Sequence, residues 1–127
     1  MVTFYKIIYQ DDKEIRQVDI DPKELIPMLL EIRRNYKVIH LQDNVGEEYS
    51  ISEILEKEKD LLKKQLSDKS KEEIVYTMQK KLTELIKQEL IYEIDFSKIM
   101  TEIRRQKDRI ESIEEFRKKV IDIYLGT

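Results

Sequence analysis

The chain has 127 residues with 24 basic and 27 acidic side chains, a formal net charge of −3, and 40 % hydrophobic residues. This length fits one domain better than two, and hydrophobic residues combined with balanced charges are typical of a folded chain. Because the sequence contains no cysteine, it excludes disulfide frameworks, thiolate nucleophiles, cysteine-ligated zinc sites and iron–sulfur clusters.

The hydrophobic residues occur in short runs, and the first residues lack both the basic start and the apolar stretch of a secretory signal. A membrane-spanning helix needs about 20 predominantly apolar residues in succession. The sequence therefore predicts a cytoplasmic protein without membrane association. It also contains no nucleotide-binding, phosphate-binding or metal-binding motif, so we expect no cofactor and no resident metal.

The first fifty residues carry strand signals around one helix. Aromatic and β-branched residues over 3–9 and an alternating segment over 15–20 predict an antiparallel hairpin. A helix over 22–35, a third strand over 36–42 and a short fourth strand over 49–51 complete this part.

The helix in this part has a marked start. Asp21 stands at the N-cap, Pro22 at the first helical position and Glu24 at the third, which is a variant of the capping box. Pro27 lacks a backbone donor and would clash with the preceding turn in a helix interior. We therefore expect either that the helix kinks or that its regular part begins near Pro27.

From residue 52 onward the hydrophobic residues recur with the period of amphipathic helices. Three serines precede a glutamate by three residues, which is the capping-box pattern of a helix start. These pairs are Ser50 with Glu53, Ser70 with Glu73, and Ser112 with Glu115. They predict helices over 52–66 and 71–92, another starting at Asp95 or Ser97, and a last one that stops at Gly126.

The end of the chain permits two interpretations. Residues 97–125 can form two helices separated at Ser112 or one continuous helix. A continuous helix would carry a heptad seam, apolar except at Gln106 and Arg117, that suits a coiled-coil partner. Its apolar members are Ile99, Ile103, Ile110, Ile113, Val120 and Tyr124. Because each of these helices offers only one apolar stripe, we expect a homodimer formed through this seam.

These signals together predict an α+β fold, with a small antiparallel sheet and one helix followed by three or four amphipathic helices. We expect a single domain over 1–127. It divides into a β-hairpin, helix and strand subdomain over 1–51 and a helical subdomain over 52–127.

The single histidine, His40, is the one candidate for acid–base chemistry. Asp43, Ser50 and Ser52 lie nearby in the sequence but in no recognised catalytic spacing. The acidic run after Asp43 also lacks the alternating ligand positions of a calcium loop. We therefore assign no catalytic residue and no metal ligand.

Arginine is concentrated near the end of the chain, where Arg104, Arg105 and Arg109 lie within six residues. Guanidinium groups favour planar partners such as carboxylate and phosphate, so this cluster is a candidate anion or partner contact. Acidic residues interleave with it, which equally fits a solvated helix face with ion pairs one turn apart.

Three functional hypotheses follow. The first is a non-enzymatic protein–protein interaction or regulatory module that dimerises through its C-terminal helices. The second is a nucleic-acid-binding accessory protein that uses Arg104, Arg105 and Arg109, or Lys63 and Lys64. The third is a small-ligand-binding protein or enzyme centred on His40. We favour the first, and we expect a protein partner.

The composition also suggests a source. The chain has no alanine and is rich in isoleucine, lysine and glutamate, which indicates an AT-rich coding sequence. Together with the small size, this fits a phage or mobile-element protein that acts on a host factor.

Overall fold

The computed structural model describes residues 1–127 and has the α+β architecture that the sequence predicts. Contacts between Cα atoms divide it into two units, Met1–Ile54 and Leu55–Thr127. The single-domain organisation stays a prediction. None of the helices combines the length and the apolar character needed to cross a lipid bilayer.

The first unit is built on a three-stranded antiparallel sheet. The strands are β1 (Tyr5–Asp11), β2 (Glu14–Ile20) and β3 (Lys37–Asp43), in the spatial order β2-β1-β3. A two-residue turn joins β1 to β2, and Asp12 in this turn has a φ of 55°. Positive φ at a central residue is what tight hairpin turns require, and Asp tolerates it better than most residues.

The helix of the first unit begins in two steps. A 3-10 turn over Pro22–Glu24 is capped by the Asp21 carboxylate, which accepts a hydrogen bond of 2.9 Å from the Lys23 N–H. The α-helix α1 (Leu25–Asn35) then starts at Leu25. Pro27 thus lies in the first turn, where a backbone N–H has no acceptor within the helix. The regular part begins near Pro27, the second of the two expected arrangements.

A β-bulge in β3 allows both Val38 and Leu41 to face the core of the first unit. Val38 and Leu41 are three residues apart and would lie on opposite faces of a regular strand. The register shifts between the pairs Ile8–His40 and Tyr9–Val38, so Ile39 is an extra residue and both side chains turn inward. The buried residues that form this core are Ile7, Ile20, Leu25, Leu29, Ile32 and Leu41.

The expected fourth strand over 49–51 is wrong. Glu48 makes a single bridge to Gln42, and the Tyr49 N–H donates to the Leu41 carbonyl at 2.9 Å, but Ile51 already belongs to a helix. The reason is the cap at Ser50, whose hydroxyl accepts a hydrogen bond from the Glu53 N–H at 3.3 Å. This cap starts α2 at Ile51, although the sequence pattern over 49–51 also fits an extended segment.

Four helices follow the sheet: α2 (Ile51–Leu66), α3 (Lys71–Lys87), α4 (Glu93–Arg109) and α5 (Ile113–Leu125). Within the second unit α3, α4 and α5 contact one another pairwise. The fully buried side chains of these three helices include Ile74, Met78, Leu82, Met100, Ile103, Phe116, Val120 and Tyr124. Their spacing of three or four residues on each helix is the amphipathic pattern expected from the sequence.

Two helix boundaries differ from the expected ones. α3 ends at Lys87, five residues early, because Glu89 takes a left-handed conformation with a φ of 59°. The N–H groups of Glu89 and Leu90 then donate to the carbonyls of Ile86 and Leu85, which is a Schellman motif without glycine. α4 begins after Tyr92, with no side-chain cap, and not at Asp95 or Ser97.

The C-terminal segment forms two helices, α4 and α5, and not one. Ile110 is extended, and the Ser112 hydroxyl accepts a hydrogen bond from the Glu115 N–H at 3.3 Å to start α5. The ammonium group of Lys71 donates to the carbonyls of Lys107 and Ile110, which are acceptors without a partner inside the helix at the end of α4.

Candidate functional site

The predicted oligomer seam lies in two separate helices. Ile99 and Ile103 on α4, and Val120 and Tyr124 on α5, are buried, whereas Ile110 and Ile113 beside the break are partly exposed. The helices that carry these residues contact each other and α3. The continuous apolar surface that motivated the seam is therefore absent, and dimerisation through it stays a prediction.

His40 and Asp43 do not converge. His40 pairs with Ile8, and Asp43 pairs with Tyr5, so the two side chains project from opposite faces of the sheet. The His40 Nδ1 atom lies 3.2 Å from the Glu48 Oε1 atom, and half of the histidine side chain is exposed. Ser50 caps α2, as described above. These residues do not assemble a nucleophile, a base and an orienting carboxylate.

Asp43 holds the loop between β3 and α2. Its Oδ1 atom accepts hydrogen bonds from the N–H groups of Val45 (2.9 Å) and Glu47 (3.1 Å). Its Oδ2 atom accepts one from the Tyr49 hydroxyl at 2.9 Å. Burial by itself would raise the pKa of the Asp43 carboxyl, but these hydrogen bonds together outweigh burial and lower the pKa below its usual value.

The pKa of Tyr49 is shifted in the opposite direction. The hydrogen bond to Asp43, followed by burial and the nearby negative charge, raises the pKa of Tyr49 to about 12. The ring also packs edge-on against Tyr5, with 5.5 Å between the ring centroids.

No three His, Asp or Glu side chains of the structure could jointly hold a metal ion. The acidic loop that follows β3 is thus organised around its own backbone.

These bonds predict a dependence of stability on pH. Because the pKa of Asp43 is lower in the folded chain, its contribution is present above the unfolded-state pKa and is lost as the pH falls through the folded-state value. We expect the Asp43→Asn variant to be less stable than wild type near pH 7. The difference in free energy of unfolding should shrink below pH 3.8, the usual pKa of the carboxyl.

Urea unfolding at several pH values checks this prediction. Asp12→Asn is a matched control, because Asp12 is exposed and its carboxylate has no hydrogen-bond partner. The control should lose stability on acidification as wild type does. An Asp43→Asn difference that stays constant from pH 7 to below pH 3.8 would contradict the assigned role of the carboxylate.

The predicted arginine cluster is mostly satisfied within the chain. The Arg104 Nη2 atom donates to the Gln79 Oε1 atom at 3.1 Å, and Arg105 pairs with Glu102 at 2.8 Å. Hydrogen bonds from Gln106 and then from Arg105 lower the pKa of the Glu102 carboxyl. Arg109 alone is exposed without a side-chain partner. The cluster therefore offers one uncommitted guanidinium group and not three.

A surface groove between α2 and α5 brings together basic residues that are far apart in the sequence. Its volume is about 350 Å³. The residues of α5 that line it span two turns and share one helix face, since the first and the last of them each lie three or four positions from the two in the middle. The lining residues are Lys63, Ser67, Glu114, Arg117, Lys118 and Ile121.

Arg117 fixes the two walls of this groove. Its Nε atom donates to the Leu66 carbonyl at 2.9 Å, and its Nη2 atom donates to the Lys69 carbonyl at 3.1 Å. Leu66 is the last residue of α2, so the guanidinium group binds the negative end of that helix. This explains why Arg117 interrupts an otherwise apolar pattern on α5.

The groove carries an excess of positive charge. Lys63 and Lys118 are exposed, and neither ammonium group makes an ion pair. Glu114 is the single carboxylate of the lining, and it also makes no ion pair. Ile121 is almost completely buried beneath the other lining residues. Two exposed ammonium groups and the aliphatic stems that carry them favour an anionic ligand with a hydrophobic part.

Sequence reasoning did not find this groove, because nothing in the sequence shows that Lys63 and Lys118 lie close together. The one available signal was Arg117, a charged residue in an apolar seam.

Comparison of the chain with known protein families, with curated proteins and with solved structures gives no match.

Proposed function

We propose that the protein is a non-enzymatic interaction module that binds an acidic segment of a partner protein in the groove between α2 and α5. The observation that carries the proposal is the pair of exposed, unpaired ammonium groups of Lys63 and Lys118 in one groove. Unpaired charges on a concave surface attract a partner of opposite charge and orient it.

The lining favours a peptide over a small inorganic anion. The aliphatic stems of the lysines supply apolar surface, which a bare anion cannot use. A volume of about 350 Å³ accommodates a few side chains. An amphipathic segment with acidic residues beside an aliphatic one uses both features, as in the docking of a helix into a groove.

Nucleic acid is the less favoured ligand. Phosphate recognition needs a run of cations that acidic side chains do not compensate. Arg104 and Arg105 are already bonded to Gln79 and Glu102, which leaves Arg109 as the free member of that cluster.

Charge reversal tests the proposal. The tagged full chain is used to capture partners from lysates of the source organism, with and without nuclease. We expect the double variant Lys63→Glu and Lys118→Glu to lose a partner that wild type retains after nuclease treatment. The affinity for the purified partner should fall at least about tenfold, because two attractive contacts become repulsive.

The control variant is Lys80→Glu with Lys98→Glu, since both lysines are exposed, lie outside the groove and make no ion pair. It has the same net charge as the groove variant and should bind the partner as wild type does. Equal loss in both variants would indicate a nonspecific charge effect and contradict the proposal. Capture that nuclease abolishes would instead support nucleic-acid binding.

A further inference from the structure

The outer edge of β2 lacks a neighbouring strand. In the order β2-β1-β3, both β2 and β3 are edge strands. The outer edge of β3 is partly occupied, since the Tyr49 N–H donates to the Leu41 carbonyl and the Asp43 N–H donates to the Glu47 carbonyl. No segment of the chain covers β2 in this way, so β2 is the open edge of the sheet.

The hairpin register determines which residues present their backbone outward. The turn closes with the pair Asp11–Glu14, whose backbone groups face each other as residues i and i+3 of a β-turn. Alternate pairs of an antiparallel ladder are hydrogen-bonded, so Glu14 and Arg16 bond inward to β1. Ile15 and Gln17 therefore direct their N–H and C=O groups away from the sheet.

Ile15 is unusual on such an edge. Its side chain is 62 % exposed, although it stands in the middle of a charged segment between Glu14 and Arg16. Both neighbours are on the opposite face of the strand from Ile15, and both are exposed. They form an exposed ion pair with each other at 3.1 Å, and Arg16 also lies 3.2 Å from the Asp11 carboxylate, so a partner strand would share charges that are already paired at the surface. A strand that joins this edge could thus cover Ile15 and meet one charge of each sign.

We infer that β2 pairs with β2 of a second copy of the chain, antiparallel, with Ile15 on the two-fold axis. In this register Ile15 lies opposite the partner's Ile15, and their backbone groups exchange two hydrogen bonds. Glu14 lies opposite the partner's Arg16, and Arg16 lies opposite the partner's Glu14. Two three-stranded sheets thereby form one six-stranded sheet.

The charges favour this register over the registers whose two-fold axis lies at a neighbouring residue. A two-fold axis normal to the sheet pairs residues that lie on the same face. An axis at Arg16 opposes two guanidinium groups, and an axis at Gln17 places Ile15 opposite an aspartate, Asp19. Only the axis at Ile15 pairs opposite charges on both sides and an aliphatic side chain with its own copy.

The overlap is short, because the turn residues Asp12 and Lys13 end the strand next to Ile15. A contact of this size lies well below the 1,200 Å² or so of a standard stable interface, so we expect a weak dimer whose population rises with protein concentration. This interface differs from the groove of α2 and α5, and it does not depend on the proposed partner.

Complementary charge variants test the inference. Glu14→Arg creates a chain with two basic residues beside Ile15, and Arg16→Glu creates a chain with two acidic ones. Each variant should remain monomeric in sedimentation equilibrium where wild type associates, while an equimolar mixture should associate again. Wild type that stays monomeric up to about 1 mM, the weak limit of measurable association, overturns the inference. A mixture that does not associate also overturns it.

A disulfide probe tests the register independently. The chain has no cysteine, so Ile15→Cys introduces a single thiol. Opposed residues of a hydrogen-bonded antiparallel pair have Cα atoms about 5.5 Å apart, within the range of a disulfide. We expect Ile15→Cys to form a covalent dimer on mild oxidation much faster than Val45→Cys, the control, in which residue 45 is 73 % exposed. Equal rates for the two variants would overturn the register.

Discussion

Replacing Phe116 by alanine is expected to lower the free energy of unfolding by about 3 to 5 kcal/mol, because it removes a large buried side chain and leaves a cavity. Phe116 lies on α5 with no exposed surface. The Lys71 ammonium group lies 5.9 Å from the centre of its ring, so the ring also supports the side chain that binds the end of α4. Urea unfolding followed by circular dichroism measures the loss.

Tyr76→Ala provides the matched control. Tyr76 is an aromatic residue on α3, but 68 % of its surface is exposed. Its replacement should change the free energy of unfolding by no more than about 0.5 kcal/mol, as is usual for surface positions. A loss for Phe116→Ala no larger than for Tyr76→Ala would show that α5 does not pack as described.

Leu29→Ala is expected to destabilise the first unit by about 2 to 5 kcal/mol. Leu29 on α1 has no exposed surface and belongs to the buried cluster that includes Ile7 on β1 and Leu41 on β3. The substitution removes one of the buried side chains through which the helix covers the sheet. Amide hydrogen exchange of β1 and β3 should accelerate, because local opening follows the stability of the unit.

Val45→Ala is the control for this second substitution. Val45 is 73 % exposed in the loop after β3, so its truncation creates no cavity. The amide hydrogen exchange rates and the free energy of unfolding of the Val45→Ala variant should match those of wild type. If Leu29→Ala left the amide exchange of β1 and β3 unchanged, α1 would not be the cover of this sheet.

Local signals predicted most of the secondary structure. The serine caps at positions 50, 70 and 112 all accept a hydrogen bond from the N–H three residues later, and Ser70 forms the complete capping box with Glu73. A cap works through neighbours within one turn, so its residues are adjacent in the sequence and can be recognised there.

Elements that depend on distant residues were harder to predict. The bulge at Ile39 exists because Val38 and Leu41 both face the core, which only the pairing with β1 reveals. The break between α4 and α5 lies where two expectations competed, a Ser112 cap and a continuous heptad. The contacts of α5 with α3 and α4 accompany the two-helix arrangement, and these contacts have no signature in the local sequence.

The candidate groove also combines a feature that the local sequence signals with features that only the fold creates. Lys63 and Lys118 lie far apart in the sequence, and their placement in one groove depends on how α2 and α5 are arranged in the folded chain. Arg117 is the exception, since a charged residue in an apolar pattern signals a buried acceptor. The structure supplies that acceptor in the carbonyls of Leu66 and Lys69.

The sequence alone determined the α+β class, the order of the main elements and the start of most helices, because these depend on periodicity and on hydrogen bonds within a few residues. The tertiary structure alone decided where α3 ends, which residues of α4 and α5 are covered, that His40 and Asp43 face apart, and which cations remain unpaired. Those outcomes depend on side chains that meet only after the chain folds, so no local pattern encodes them.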